Sequence, residues 1–216
     1  MDLRRIAGCA VLVFGLAGTA LAAEKPTLAD AAERGNGALV RTLLEGGAGV
    51  NVPQVDGMTA LHWAVYHDDA ETAGLLVRSG ADVNAENRYG VPPLSVAATN
   101  GSADIVTLLL DAGADANATL RGGETVLMTA ARTGSLGAVR ALLAKGADPN
   151  AREEREQTAL MWAAAEGHAA VTHALLEVGA DLEKNDVDGD IDGDGTNNVV
   201  DIDDDYDAIF DWNDVD

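Results

Sequence analysis

A chain of 216 residues with 47% apolar but only 4% aromatic side chains has room for one medium domain or a repeat array, and too few large rings for a thick aromatic core. Its 36 acidic residues outnumber 14 basic ones, and the formal charge of −22 repels nucleic acid, whose affinity comes largely from Lys and Arg on phosphate. Cys9 is the only cysteine, so no disulfide can form within the chain.

Residues 1–22 read as a secretory signal peptide. Arg4 and Arg5 supply a positive start, an apolar run extends from Ile6 to Leu21, and Ala20-Leu21-Ala22 gives the small-x-small pattern that signal peptidase needs. Cleavage is expected after Ala22 or Ala23. An uncleaved anchor is the less favoured alternative, because the run falls short of the about 20 apolar residues that a membrane span needs. Removal takes Cys9 with it, so the mature chain has no thiol nucleophile and no Cys-ligated zinc site.

From residue 23 to residue 185 the sequence repeats itself. Thr59-Ala60-Leu61-His62-Trp63-Ala64 returns as Pro92-Pro93-Leu94-Ser95-Val96-Ala97, as Thr125-Val126-Leu127-Met128-Thr129-Ala130 and as Thr158-Ala159-Leu160-Met161-Trp162-Ala163, each 33 residues after the last. Gly80-Ala81-Asp82, Gly113-Ala114-Asp115, Gly146-Ala147-Asp148 and Gly179-Ala180-Asp181 keep the same step, and Gly101, Gly134 and Gly167 form a third column. The threonines suit helix N-caps, because a hydroxyl accepts from free backbone N–H groups. Pro93 falls at the first helical position, where a missing N–H costs nothing. Leu and Ala three residues apart share a helix face. The glycine of the third column is expected to end the first helix in the left-handed conformation. Asp69, Ser102 and Ser135 follow as caps of a second helix with an apolar stripe such as Ile105, Val106, Leu108 and Leu109.

These blocks resemble the ankyrin repeat: the T-P-L-H-x-A block, the central Gly and the L-L-x-x-G-A-D-x-N block all recur. The resemblance implies an all-α solenoid of about five helix-turn-helix repeats with short loop or hairpin tips, at 24–56, 57–89, 90–122, 123–155 and 156–185. The first repeat is degenerate, with Gly49 in place of Asp, and Glu183 replaces Asn in the fifth, as suits the two ends of a stack. The family is one of binding scaffolds. Its partners lie on a concave face made by the tips, here 52–58, 85–91, 118–124 and 151–157, and by the first helices. It also implies an inter-repeat hydrogen-bonding role for His62.

On that face the expected partner-binding residues are Tyr66, His67, Arg88, Tyr89, Arg121, Arg132, Arg152 and Arg155. Tyr and Arg are enriched among binding hot spots, and the columns of Tyr66 and Tyr89 need nothing large. Trp63 and Trp162, at equivalent positions, are expected to pack between helices. The tip arginines could receive an acidic partner or the chain's own tail, or form a solvated edge balanced by Glu86, Glu124, Glu153 and Glu154. His168 and His173 are five residues apart and do not share a helix face, and there is no H-E-x-x-H, G-x-S-x-G or phosphate loop. No enzyme is expected.

Residues 186–216 follow another rule: residues 185–216 hold 13 Asp and no Lys or Arg, so they carry more than half of the net charge. Carboxylates alternating with spacers suit Ca²⁺, which takes six to eight oxygen ligands in irregular geometry. Asp190, Asp192, Asp194, Gly195 and Asp201 match positions of a calcium loop. The segment resembles thrombospondin type 3 calcium repeats, with Asp188, Asp190, Asp192, Asp194, Asp201, Asp203, Asp205 and Asp207 as implied ligands. Ala208 stands where a Gly is expected, which weakens the second loop. A solubilising acidic tail is the alternative. The whole then reads as an exported monomer, periplasmic or at the cell surface, that binds another protein on its ankyrin face. A calcium-dependent assembly protein, or an inhibitor that occludes a toxin or enzyme, are the alternatives.

Overall fold

The computed structural model describes residues 26–180. Among these residues ten helices form five pairs. The first helices are α1 (Leu28–Glu33), α3 (Ala60–Tyr66), α5 (Pro93–Asn100), α7 (Val126–Arg132) and α9 (Ala159–Ala165). The second helices are α2 (Gly37–Glu45), α4 (Ala70–Arg78), α6 (Ala103–Asp111), α8 (Leu136–Ala144) and α10 (Ala169–Glu177). First helices pack on first helices in chain order, and second helices form a parallel row beside them. The proposed signal peptide and the Asp-rich tail lie outside the described residues.

Local chemistry sets the helix starts. The hydroxyls of Thr59, Thr125 and Thr158 accept from the backbone N–H of His62, Met128 and Met161. Pro93 opens α5, as its fixed φ favours. Thr27 caps α1, and the Asp30 carboxylate accepts in return from the Thr27 N–H at 2.9 Å. Two expected caps work otherwise. Asp69 does cap α4 through its side chain, but Ser102 and Ser135 sit at the N-caps of α6 and α8 with no side-chain cap bond. The Ser135 hydroxyl is turned to the preceding repeat, where it donates to the Gly101 carbonyl at 2.8 Å.

Helices of six to nine residues are unstable alone, so packing must hold them. Leu61, Leu94, Leu127 and Leu160 are buried at equivalent positions of the first helices, as are Leu76, Leu109, Leu142 and Leu175 in the second. Each such side chain contributes about 1.5–3 kcal/mol by leaving water. Between the leucine rows sit Ala64, Ala97, Ala130 and Ala163, all buried and small enough for close approach.

Backbone-directed hydrogen bonds fix the register between repeats. Asn51, Asn84 and Asn117 each reach one repeat forward. Their carbonyl oxygens accept from the N–H of Asp82, Asp115 and Asp148 at 2.8–2.9 Å. Their amides donate to the carbonyls of Gly80, Gly113 and Gly146 at 3.0–3.1 Å. Asn150 continues the ladder to the Gly179 carbonyl at 3.2 Å. At the other end of the first helices, His67 and His168 donate from Nε2 to the Glu33 and Arg132 carbonyls of the repeat before.

The tips are tight hairpins. Gln54, Asn87, Leu120 and Glu153 donate their N–H to the carbonyls of Met58, Val91, Glu124 and Gln157. The residue before each acceptor has positive φ: Gly57, Gly90, Gly123 and then Glu156 at 62°. Gly57 is also a point of close approach, since a Cβ there would lie 2.8 Å from the Arg88 N. The Arg88 N–H donates to the Asp56 carbonyl at 2.8 Å, and Glu154 does the same to Gly122 two repeats on.

His62 is fully buried. Its Nδ1 accepts from the Thr59 N–H, and its Nε2 donates to the Val91 carbonyl at 3.0 Å, joining the cap of one repeat to the tip of the next. Burial pushes the imidazole below its ordinary pKa, and the bond to Val91 opposes this only in part. The folded form therefore resists a proton that the unfolded chain accepts. Stability is full above about pH 6.5, the ordinary histidine range, and falls as pH drops below it. Two measurements check these bonds. Asn117→Ala should lower unfolding stability by about 1–2 kcal/mol in urea, since two inter-repeat bonds are lost. His62→Met, the residue its column carries at 128 and 161, should flatten the decline in melting temperature between pH 7 and pH 5.

Candidate partner-binding face

The stack leaves one face uncovered by its own second helices: the outer ends of the first helices and the tips. The interior columns of that face repeat, whereas the exposed ones do not. One exposed column reads Glu33, Tyr66, Thr99, Arg132, Ala165, and the next reads Arg34, His67, Asn100, Thr133, Glu166. In the second column His67, Asn100 and Thr133 bond to backbone carbonyls of the repeat before, whereas the core asks nothing of the first column, so its chemistry is free for recognition.

Three aromatic side chains gather at the outer face of α3. Trp63 and Tyr66 meet edge to face with centroids 5.6 Å apart, His67 lies 6.3 Å from the Trp63 ring at an interplanar angle of 27°, and Tyr66 and His67 meet at 5.4 Å. Tyr66 is 59% exposed, and Trp63 is half-buried against the core. The Trp63 indole N–H donates to the Gln54 side-chain carbonyl at 2.7 Å. The Gln54 amide nitrogen in turn donates to two carboxylates, Asp30 at 2.9 Å and Glu33 at 2.8 Å. That bond from Gln54, with those from Thr27, holds Asp30 below the ordinary carboxylate range.

A second cluster lies at the junction of α7 and α9. The Arg132 guanidinium stands 5.4 Å from the Trp162 ring centroid and pairs with Glu124 at 3.4 Å. Glu124 also accepts from the Thr129 hydroxyl at 2.9 Å. The Trp162 indole N–H is shielded and has no acceptor. The residue equivalent to Gln54 here is Glu153, whose carboxylate is turned to the backbone of its own tip, accepting from Arg155 and Gln157.

The tip residues fall into separate places. Arg88 lies over Tyr89 at 5.3 Å, and Tyr89 is 56% exposed. Arg152 pairs with Glu156 at 3.2 Å. Arg121 and Arg155 are exposed and form no ion pair among the described residues. The expected partner-binding residues thus occupy several stations: Tyr66 with His67, Arg88 with Tyr89, Arg132 with Trp162, and the tip arginines singly. His67 has a structural task as well, through its bond to Glu33. Gln54, Asp30 and Glu33 were not singled out from the sequence. Their column positions, 33 and 99 residues from more conspicuous neighbours, were the available signal. Among the described residues no three His, Cys, Asp or Glu side chains are placed to hold a metal ion. The calcium ligands expected at Asp188 to Asp207 lie outside those residues.

A family model for three-copy ankyrin repeats matches residues 28–120 and, overlapping it, 94–186. No curated protein matches the chain. The family match runs over well more than half of the sequence, and its span contains all five helix pairs and the asparagine ladder. The chain belongs to the ankyrin-repeat family.

Proposed function

We propose that this protein is an exported scaffold that holds a partner protein on the face formed by its tips and first helices, with a calcium-binding C-terminal tail. The observation that carries the binding role is the contrast between columns. Interior positions repeat Leu and Ala, while the exposed first-helix column runs through acid, ring, hydroxyl, guanidinium and methyl. Tyr66 and Tyr89 touch neighbouring rings or a guanidinium yet stay more than half in water, where the core gains little from them. A stack that grips a partner gains anchors there, because rigid aromatic side chains bury much area for little lost entropy. The role is that of a binding module, as ankyrin repeats generally serve, and no catalytic step is part of it.

Export rests on the Arg4-Arg5 start, the apolar run and the Ala20-Leu21-Ala22 pattern. It agrees with the calcium reading, since sites of millimolar affinity fill outside the cell. The tail reading rests on the D-x-D-x-D rhythm from Asp186 to Asp194. In this account residues 186–216 stiffen on calcium and set the repeats away from whatever the C-terminus meets. A calcium-dependent assembly protein, with the repeats as spacer, is the competing role that the same tail favours.

One experiment separates them. The mature chain and a version ending at residue 185 serve as baits for envelope proteins of the source cell, each with millimolar calcium or with chelator. The scaffold role predicts that the same partner is captured by both baits in both conditions, and that Tyr66→Ala combined with Tyr89→Ala weakens capture at least about tenfold, as loss of two hot spots does. Capture that vanishes with the tail or with calcium would move the function to residues 186–216.

A further inference from the structure

The two tryptophan stations are 99 residues apart, three whole repeats, and the residues of their first helices can be matched position by position. Trp162 corresponds to Trp63, and Arg132 corresponds to Glu33. At the C-terminal station the chain covers its own ring with a cation: the Arg132 guanidinium lies 5.4 Å from the Trp162 centroid and reaches the Glu124 carboxylate at 3.4 Å. At the N-terminal station the position of that arginine is held by a carboxylate. Glu33 and Asp30 converge on one neutral amide nitrogen of Gln54, at 2.8 and 2.9 Å, and neither has an ion-pair partner among the described residues. Among the described residues Arg34 is exposed and acts on Asp30 through its charge, but it forms no ion pair with either carboxylate.

Two like charges on a single neutral donor leave net negative charge beside the rings of Trp63, Tyr66 and His67. We propose that this junction of the first and second repeats is a subsite for an arginine side chain of the partner protein. The proposal rests on the reading of this face as the protein-binding one. A guanidinium supplies both things the station lacks. Its flat face stacks on aromatic rings, and its fork of N–H donors fits a carboxylate pair. The C-terminal station shows the two contacts in simpler form, with Arg132 over the Trp162 ring and paired with the single carboxylate of Glu124. A lysine ammonium carries the charge without the flat fork.

The probes are N-acetyl-arginine amide, N-acetyl-lysine amide and N-acetyl-citrulline amide, the last a neutral isostere of the first. Each is titrated at millimolar concentration into the nitrogen-15-labelled full chain. The readout is the Trp63 indole N–H signal, identified by its absence in Trp63→Phe. The arginine probe should move this signal saturably and about fivefold more tightly than the lysine probe, while the citrulline probe leaves it in place. Glu33→Arg should abolish the shift, because the introduced guanidinium takes the place over Trp63 that Arg132 takes over Trp162. Glu33→Gln, which keeps shape and removes charge, should weaken it about threefold or more. Equal shifts with citrulline or with lysine, or an unchanged titration in Glu33→Arg whose backbone spectrum is native, would overturn the assignment. Partner capture is read separately: if Glu33→Arg still captures at full strength, the arginine subsite falls and the scaffold role stands.

Discussion

A pair of helices this short cannot cover its own apolar side, and that insufficiency organises the molecule. Leu94 and Leu109 of the third pair are closed off by the pairs before and after it, not by their own pair alone. Each repeat is therefore folded only as a neighbour, and the chain becomes a row. A row built this way has a repeating interior and flanks that packing leaves alone. The asparagine ladder is the polar counterpart: Asn51, Asn84 and Asn117 each satisfy a carbonyl and an N–H of the next repeat, so register and burial enforce each other.

The same division separates stability from recognition. Interior positions tolerate little, since a buried leucine cut to alanine loses about 2–5 kcal/mol. Side chains such as Tyr66, Thr99 and Arg132 share an exposed column yet have nothing in common chemically. Charge follows a gradient of its own. Carboxylates gather at Asp30 and Glu33 near the start of the row, and a paired cation sits over Trp162 near its end. The two stations therefore differ in charge: two carboxylates share one amide at the first, and an ion-paired cation covers the ring at the second.

Much of the fold was legible from the sequence because its rules are local. A threonine before an apolar pair, Pro93 at a first turn and Gly101 at a helix end each state their role within a few residues. What was not legible depends on atoms about 30 residues away. Nothing near Ser135 says that its hydroxyl will face Gly101 and not its own helix, and nothing near Asn117 says that it will bond Gly146 and Asp148. The left-handed positions of Asp68 and Glu156 were hidden for another reason. They hold ordinary residues in columns otherwise filled by glycine, so the residue type misstates the backbone. The face was legible as a set of exposed columns, and Tyr66 and Tyr89 do stand in water. Which side chains meet across repeats was not, because Arg132 on Trp162 and Gln54 between Asp30 and Glu33 arise only once the repeats are in register.

If neighbour burial is the source of stability, the row should survive being shortened. The direct measurement is urea unfolding, followed by circular dichroism, of a chain ended at residue 155 beside the full-length protein. The shortened chain should remain helical and unfold cooperatively, with a denaturant slope of about four-fifths of the original, in proportion to the surface it still buries. A chain that has lost its helical signal before any urea is added would contradict the account, since that is the behaviour of a closed globule with one shared core.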